Sequence, residues 1–402
     1  MSMKKLSKKM LAVVAAGAMT MGLAMPAFAA EGSTTQDTIN NAKEAYIKKT
    51  YNTEVKKEMT FTFAATQVKE ATRDDLVKTD LTCNIPNIQF TSTDLAGEAG
   101  TYTKLSDKIT FGKPTEAGKY EYTVKEGASS PAVTNREHEK LIMSQAEYKM
   151  DVYVVEKTGG ALEIDKILVT KTKNDQGKPD AETGKVDIGG NVGSNGFNFT
   201  NTYAQEAGTG KPDPDPDKPI VPGTDYNEYG SLNVAKKVIL NTTDATASIP
   251  TEKFDFTVKF DFPEGTDKDT LGGVKDKDGK RVTITNGETK FQLAHDENMK
   301  FTGLPVGTTI TVTEAAKANY KASAKVTLNG VEQTAVAASK YNAALTAVDQ
   351  QKLGQNKNTV DVTNRFNNVP TTGIIMNTLP YVLMIALCGA ALFGFVAFKR
   401  RR

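Results

Sequence analysis

The 402-residue chain has no tryptophan, two histidines and two cysteines. Cys388 lies in an apolar run that is expected to leave the finished protein, so Cys83 is then alone. No disulfide framework is possible, and an exported chain of this size needs another route to mechanical strength. His138 and His295 are far apart, with no Cys or carboxylate array of metal-ligand spacing near either. No nucleophile–base set repeats or clusters. A metal centre, a bound cofactor and a turnover enzyme are therefore all excluded as readings. Charge of one sign is also scarce, at 50 Lys and Arg against 48 Asp and Glu, a net +2. Four of those cations lie near each end, and without them the chain between is −6, which argues against nucleic acid as a partner. Long helical periodicity is weak everywhere.

Both ends read as processing segments. Lys4, Lys5, Lys8 and Lys9 precede an apolar run from Met10 to Met25, followed by Ala27-Phe28-Ala29. That pattern is a secretory signal peptide over residues 1–29, set aside from fold reasoning. At the other end stand Val369-Pro370-Thr371-Thr372-Gly373, an apolar run from Ile374 to Phe398, and Lys399-Arg400-Arg401-Arg402. The run is long enough to hold the chain in a bilayer and the basic cluster is a positive-inside stop. Alone, these would make a plain membrane anchor. The pentapeptide resembles the LPxTG sorting signal of Gram-positive surface proteins, with Val369 in place of Leu. That resemblance implies cleavage between Thr372 and Gly373 by the membrane transpeptidase sortase and transfer of the Thr carbonyl to an amine. The chain would thus be secreted, briefly held in the membrane, and then fixed to the cell wall.

The interior alternates. Met59-Thr60-Phe61-Thr62-Phe63, Tyr120-Glu121-Tyr122-Thr123-Val124 and Phe254-Asp255-Phe256-Thr257-Val258-Lys259-Phe260 place large apolar groups at every second position. Such runs are half-buried antiparallel strands. Residues 31–43 are polar and expected to be loose. Residues 44–205 form one β-rich region and 229–368 another. Between them, 206–228 carries alternating Pro and Asp, which cannot join a ladder and reads as a semi-rigid spacer. One short helix is expected over 340–353. The fold class is all-β, as two tandem immunoglobulin-like β-sandwiches.

The two regions repeat three landmarks in order. Each opens with a strand holding a Lys in apolar phase: Lys49 between Ile47 and Tyr51, and Lys236 between Val234 and Val238. Each later has a strand with Glu on its apolar face, Glu126 and Glu314. Each closes on a strand with an in-phase Asn, Asn201 and Asn364. Taken singly, these are ordinary strand and turn residues. As two parallel sets, all facing a core, they must meet, because an unpaired buried charge costs several kcal/mol. Burial lowers a lysine pKa and raises a glutamate pKa. A neutral amine could then attack the Asn amide while a protonated Glu polarises the carbonyl and shuttles protons. Ammonia would leave and an isopeptide bond remain, once per domain.

This arrangement looks like the streptococcal backbone pilin of T-antigen type, built from pilin isopeptide-linkage domains (Cna B-type-like sandwiches). The resemblance rests on Tyr120 to Glu126, on Phe199-Thr200-Asn201-Thr202-Tyr203, on Gly303-Leu304-Pro305-Val306-Gly307, and on the tail with Pro380-Tyr381. It implies bonds Lys49–Asn201 beside Glu126 and Lys236–Asn364 beside Glu314, with Lys48 and Lys237 as neighbours that strand phase disfavours. It also implies that sortase joins Thr372 of one subunit to a Lys late in the first domain of the next. A Tyr-Pro-Lys-Asn pilin motif is absent. Gly184-Lys185-Val186-Asp187-Ile188 best matches the acceptor neighbourhood, with Lys178 second, and Lys171 and Lys173 on the same approach. Lys56-Lys57 in an early loop is a further alternative. The implied function is a shaft subunit of a cell-surface pilus, polymerised with identical subunits, attached to peptidoglycan and supporting adhesion to host receptors. The alternative is a monomeric wall-anchored adhesin with the same domains.

Overall fold

The computed structural model describes residues 38–69, 77–97, 99–133, 137–179, 184–210, 219–241 and 248–367. All belong to one compact unit, Thr35–Arg402. The signal segment 1–29 and the sorting segment 369–402 lie outside the described residues. Among the described residues no helix is long and apolar enough to cross a membrane.

The first half runs β1 (Lys48–Thr53), β2 (Met59–Gln67), β3 (Cys83–Asn84), β4 (Ile88–Phe90), β5 (Thr101–Leu105), β6 (Thr110–Phe111), β7 (Gly118–Ser130), β8 (Glu139–Ile142), β9 (Glu147–Glu156), β10 (Leu162–Lys173) and β11 (Asn198–Gln205). The second runs α1 (Thr224–Tyr229), β12 (Leu232–Leu240), β13 (Phe254–Asp261), β14 (Glu288–Leu293), β15 (Asn298–Phe301), β16 (Thr309–Glu314), β17 (Tyr320–Leu328), β18 (Val331–Glu332), β19 (Val336–Ala337), β20 (Leu345–Lys352) and β21 (Thr359–Phe366). The fold is all-β, as two tandem immunoglobulin-like sandwiches.

The sheets repeat one plan. The first sandwich sets β5-β1-β11-β8 against β10-β9-β7-β2-β4. The second sets β15-β12-β21-β17, extended by β18 and β19, against β14-β13-β16-β20. Strand for strand the orders correspond, with β10 an addition to the first. In each, the opening and closing strands lie side by side and parallel, β1 with β11 and β12 with β21. Hairpins cannot make that pairing, so it brings the two ends of each domain together. Period-two alternation places the cores: Phe254, Phe256, Val258 and Phe260 on β13 point inward while Asp255 and Lys259 are exposed. In the first core Tyr51 packs edge to face on Phe61 and tilted on Phe90, at centroid distances of 5.3 and 5.4 Å.

Two expectations change. Residues 340–353 hold no helix; β20 occupies Leu345–Lys352 and pairs with β16. Ala343, Ala344 and Ala347 favour helix in isolation, but the ladder and the core override that preference. A register shift between Val312 and Thr313 lets both Ala347 and Val348 face inward. The polar segment expected to be loose is docked where it is described, with Ala42 O accepting the Ile167 N–H at 2.7 Å.

Of the Pro/Asp stretch 206–228, residues 211–218 lie outside the described residues. Residues 206–209 are buried and bond to the second sandwich: Ala207 N–H to Leu304 O at 2.8 Å and Gly208 N–H to Gly354 O at 3.1 Å. Thr224–Tyr229 is α1, bounded by Gly223 and Gly230. Gly208 has φ +79°, and a Cβ there would run into the Gly230 carbonyl. Gly208→Ala should therefore destabilise the junction by about 1–3 kcal/mol. An unchanged denaturation midpoint would show that the junction yields to the side chain.

Candidate functional site: two buried lysine–glutamate–asparagine clusters

Alternation on β1 turns Ile47, Lys49 and Tyr51 to the interior, all 0 % exposed. On β12 the same phase buries Leu232, Val234, Lys236 and Val238. Asn201 and Asn364 are buried on the closing strands. Register then fixes the offset identically in both sandwiches. Lys49 stands opposite Phe199, two residues before Asn201, and Lys236 stands opposite Val362, two before Asn364. The Glu comes from the facing sheet: Glu126 on β7 opposite Phe63, and Glu314 on β16 opposite Phe256. Each cluster therefore spans the sandwich interior.

In the first cluster Lys49 Nζ lies 2.5 Å from Glu126 Oε1, and Asn201 Nδ2 donates to the same oxygen at 3.0 Å. In the second, Lys236 Nζ lies 2.9 Å from Glu314 Oε1 and Asn364 Nδ2 donates to it at 2.6 Å. Aromatic faces close the cages: Lys49 Nζ is 4.3 Å from the Phe61 ring centre and Lys236 Nζ is 4.1 Å from that of Phe254. Burial pushes the Lys49 and Lys236 amines down to about 8, against the pull of their glutamates. Burial also raises both glutamates, opposed by the lysine and asparagine contacts. The two shifts converge, which lowers the cost of passing a proton from ammonium to carboxylate and leaving a neutral amine beside an amide. Lys48 is only half-buried and Lys237 is exposed.

The glutamates face nitrogens. The carbonyl oxygen of Asn201 instead accepts the backbone N–H of Ser144 at 2.7 Å, whereas Asn364 Oδ1 is buried with no hydrogen-bond partner among the described residues. Nothing in the sequence pattern marks Ser144, because a backbone donor has no residue signature. A cavity of about 270 Å3 lined by Glu126, Ser144, Glu147 and Lys173 adjoins the first cluster.

Lys178 and Lys185 are both exposed, as polar approaches to a closing strand should be. Lys185 bridges Thr170, and its Nζ reaches Asn40 Oδ1 at 3.4 Å. Lys57 lies in the loop between β1 and β2, as expected, but its amine is not free: it is buried, its Nζ 3.9 Å from Glu139 and 5.6 Å from the Tyr203 ring centre. Alternation from Val55 to Met59 turns it inward, and Lys56 outward. Val369, Pro370, Thr371, Thr372 and Gly373 lie outside the described residues. Among the described residues no three His, Cys, Asp or Glu gather as a metal site.

A further polar cluster seals the junction. Glu206 Oε1 accepts the Tyr226 hydroxyl at 2.8 Å, the Ser231 hydroxyl at 2.7 Å and the Gly303 N–H, while Oε2 is 2.7 Å from His138 Nδ1. The His138 ring also meets Tyr226 edge to face. Bonding to Glu206 raises the His138 pKa above 6.5, opposed by burial and helped by Glu137. A raised folded-state pKa stabilises fully below about 6.5, and that contribution is lost as pH rises through the raised value. The unfolding midpoint should fall over that window, and His138→Gln should flatten the dependence. An equal slope in the variant would assign it to another group.

A family described as a domain of unknown function (DUF7601) matches residues 230–365, the second sandwich. No curated protein matches the chain. Similar solved structures include the major pilin of Streptococcus pyogenes, at 17% identity over 81% of this chain and 99% of that one, TM-score 0.32. The T3.2 major pilin of Streptococcus pyogenes is 21% identical over 82% of this chain and 99% of its own, TM-score 0.29. The T-13 major pilin of that species is 18% identical over 82% and 99%, TM-score 0.30.

Proposed function

We propose that the chain is the shaft subunit of a sortase-assembled surface pilus, and that each sandwich crosslinks itself once by an isopeptide bond. The observation that carries this reading is the same Lys–Glu–Asn cluster built twice, at the same strand offset. A buried charged set repeated at that precision of register serves chemistry more economically than stability, since an apolar replacement would stabilise as well. In each domain the amine attacks the Asn amide, ammonia leaves, and the first strand is joined to the last; holding both groups on one carboxylate oxygen supplies the proximity. The sorting pentapeptide, with its apolar run and basic cluster, supports the assembly half of the reading. Lys49 and Lys236 are consumed and buried, so the acceptor of Thr372 is an exposed lysine, with Lys185 first and Lys178 second.

Intact mass should lie two ammonias below the mass expected after end processing, with branched tryptic peptides joining Lys49 to Asn201 and Lys236 to Asn364. Glu126→Ala and Glu314→Ala should each restore one ammonia and melt lower, by roughly 4–5 kcal/mol less native strain. Well-folded protein of unmodified mass would end the crosslinking reading.

Wall extracts should give a high-mass ladder on immunoblotting. The ladder should vanish with Thr372→Ala and shrink when Lys185 and Lys178 are changed to Arg, which keeps charge but not the nucleophile. A single band from the native chain would instead mean a monomeric wall-anchored adhesin. An undiminished ladder from the double Arg variant would move the acceptor elsewhere.

A further inference from the structure

We infer that the backbone N–H of Ser144 is the oxyanion donor for the Lys49–Asn201 reaction, and that the second cluster works without an equivalent donor. This deepens, and rests on, the self-crosslinking reading above. Ser144 lies in the connection between β8 and β9, and its N–H donates to Asn201 Oδ1 at 2.7 Å, outside any strand ladder. An N–H can only donate, so it fixes which end of the amide faces it. The oxygen must point to Ser144, and Nδ2 is thereby turned onto Glu126 Oε1. The leaving nitrogen and the attacking Lys49 Nζ thus share one carboxylate oxygen, with the carbonyl oxygen held on another side.

The position is built to stay. Ser144 Oγ donates to Asp175 Oδ1 at 2.5 Å and accepts the Ala146 N–H at 3.1 Å. The same Asp175 oxygen accepts the Thr200 N–H at 2.9 Å, one residue before Asn201. The donor is therefore pinned to the strand that carries the amide it polarises, as an oxyanion hole requires.

The Lys49 ammonium gives one proton to the Glu126 carboxylate. The amine lone pair attacks Asn201 Cγ, forming the Nζ–Cγ bond, and negative charge moves to Oδ1 against the Ser144 N–H. One Nζ proton, relayed through the Glu126 carboxyl, reaches Nδ2; the charge on Oδ1 re-forms the C=O bond, the Cγ–Nδ2 bond breaks, and ammonia leaves. The carboxyl is restored in the exchange, so no external reactant is needed. The cavity lined by Glu126 and Ser144 lies beside the site of ammonia release.

In the second cluster Asn364 Nδ2 donates to Glu314 Oε1, yet Asn364 Oδ1 is buried without a partner among the described residues; Glu126 Oε2 and Glu314 Oε2 are alike in having none. Among the described residues the acid bonded to that amide is Glu314, which then serves both the oxygen and the nitrogens. The first bond should form faster than the second in the same chain.

The full chain, made by cell-free synthesis and acid-quenched at intervals, lets the two branched peptides be counted after digestion. The expected result is a faster Lys49–Asn201 peptide. Ser144→Pro, which removes the N–H, should slow that peptide about 10²- to 10³-fold and leave the Lys236–Asn364 peptide unchanged as internal control. If Ser144→Pro misfolds, an ester in place of the amide at position 144 removes the same hydrogen without the ring. A folded variant of either kind that crosslinks the first domain at the native rate overturns the inference. Native chain that never forms the Lys49–Asn201 peptide overturns the underlying reading instead.

Discussion

A lysine ammonium and a glutamate carboxylate inside an apolar sandwich are tolerable only as neighbours. Desolvation costs each several kcal/mol, and only close contact with further hydrogen bonds offsets it. That constraint ties the rest of the architecture together. The Lys must be in apolar phase on an opening strand, the Asn in phase on its parallel neighbour, and the Glu in phase on the facing sheet. The Lys49 and Lys236 clusters meet all three conditions, and aromatic rings wall both. Moving any of these strands by one residue would turn a charge outward and an apolar row with it. The clusters therefore pin the register of each sandwich as well as offering a reaction.

The parts legible in the sequence were those with a period. Alternation locates the strands that form the cores, and placing Lys49, Glu126 and Asn201 in that phase requires no knowledge of topology. The repeat shows that the second set is the same device. The parts that stayed hidden depend on partners distant in sequence. Residues 340–353 read as a short helix, in keeping with Ala343, Ala344 and Ala347, and only the ladder offered by β16 makes 345–352 a strand. Lys57 reads as a loop charge until Glu139 and Tyr203 close over it. Residues 206–209 look like the start of a spacer because nothing local reveals that Leu304 and Gly354 will take their N–H groups. Ser144 acts through its main chain, which no side-chain pattern encodes.

The two sandwiches share a plan but differ around the Asn. In the first, the β8–β9 connection folds back over Asn201 and gives its carbonyl a donor, with β10 and its following turn supplying Asp175 to hold it. The additional strand thus has a local consequence at the site. In the second, β17 continues into short strands β18 and β19 and then β20, and Asn364 Oδ1 meets no donor among the described residues. Identical side chains at identical register therefore sit in unlike electrostatic surroundings.

Connectivity decides where tension would travel under the proposed crosslinks. The chain enters the first sandwich along β1 and leaves along the adjacent parallel β11; it enters the second along β12 and leaves along β21. Pulled at its ends, each pair is loaded in shear along its whole ladder. A bond from Lys49 to Asn201 would carry force straight from the opening strand to the closing one, and residues between them would bear none. The bond from Lys236 to Asn364 would do the same. What remains on the covalent path between them is 202–235, the end of β11, the junction and the start of β12. Its described residues are held non-covalently, by the packing of Tyr203, Ala207, Leu232 and Val234 and by hydrogen bonds, with Glu206 joining His138 of the first sandwich to Ser231 and Gly303 of the second. The junction would then be the compliant element of an otherwise inextensible subunit, and its buried carboxylate the point where that compliance is set.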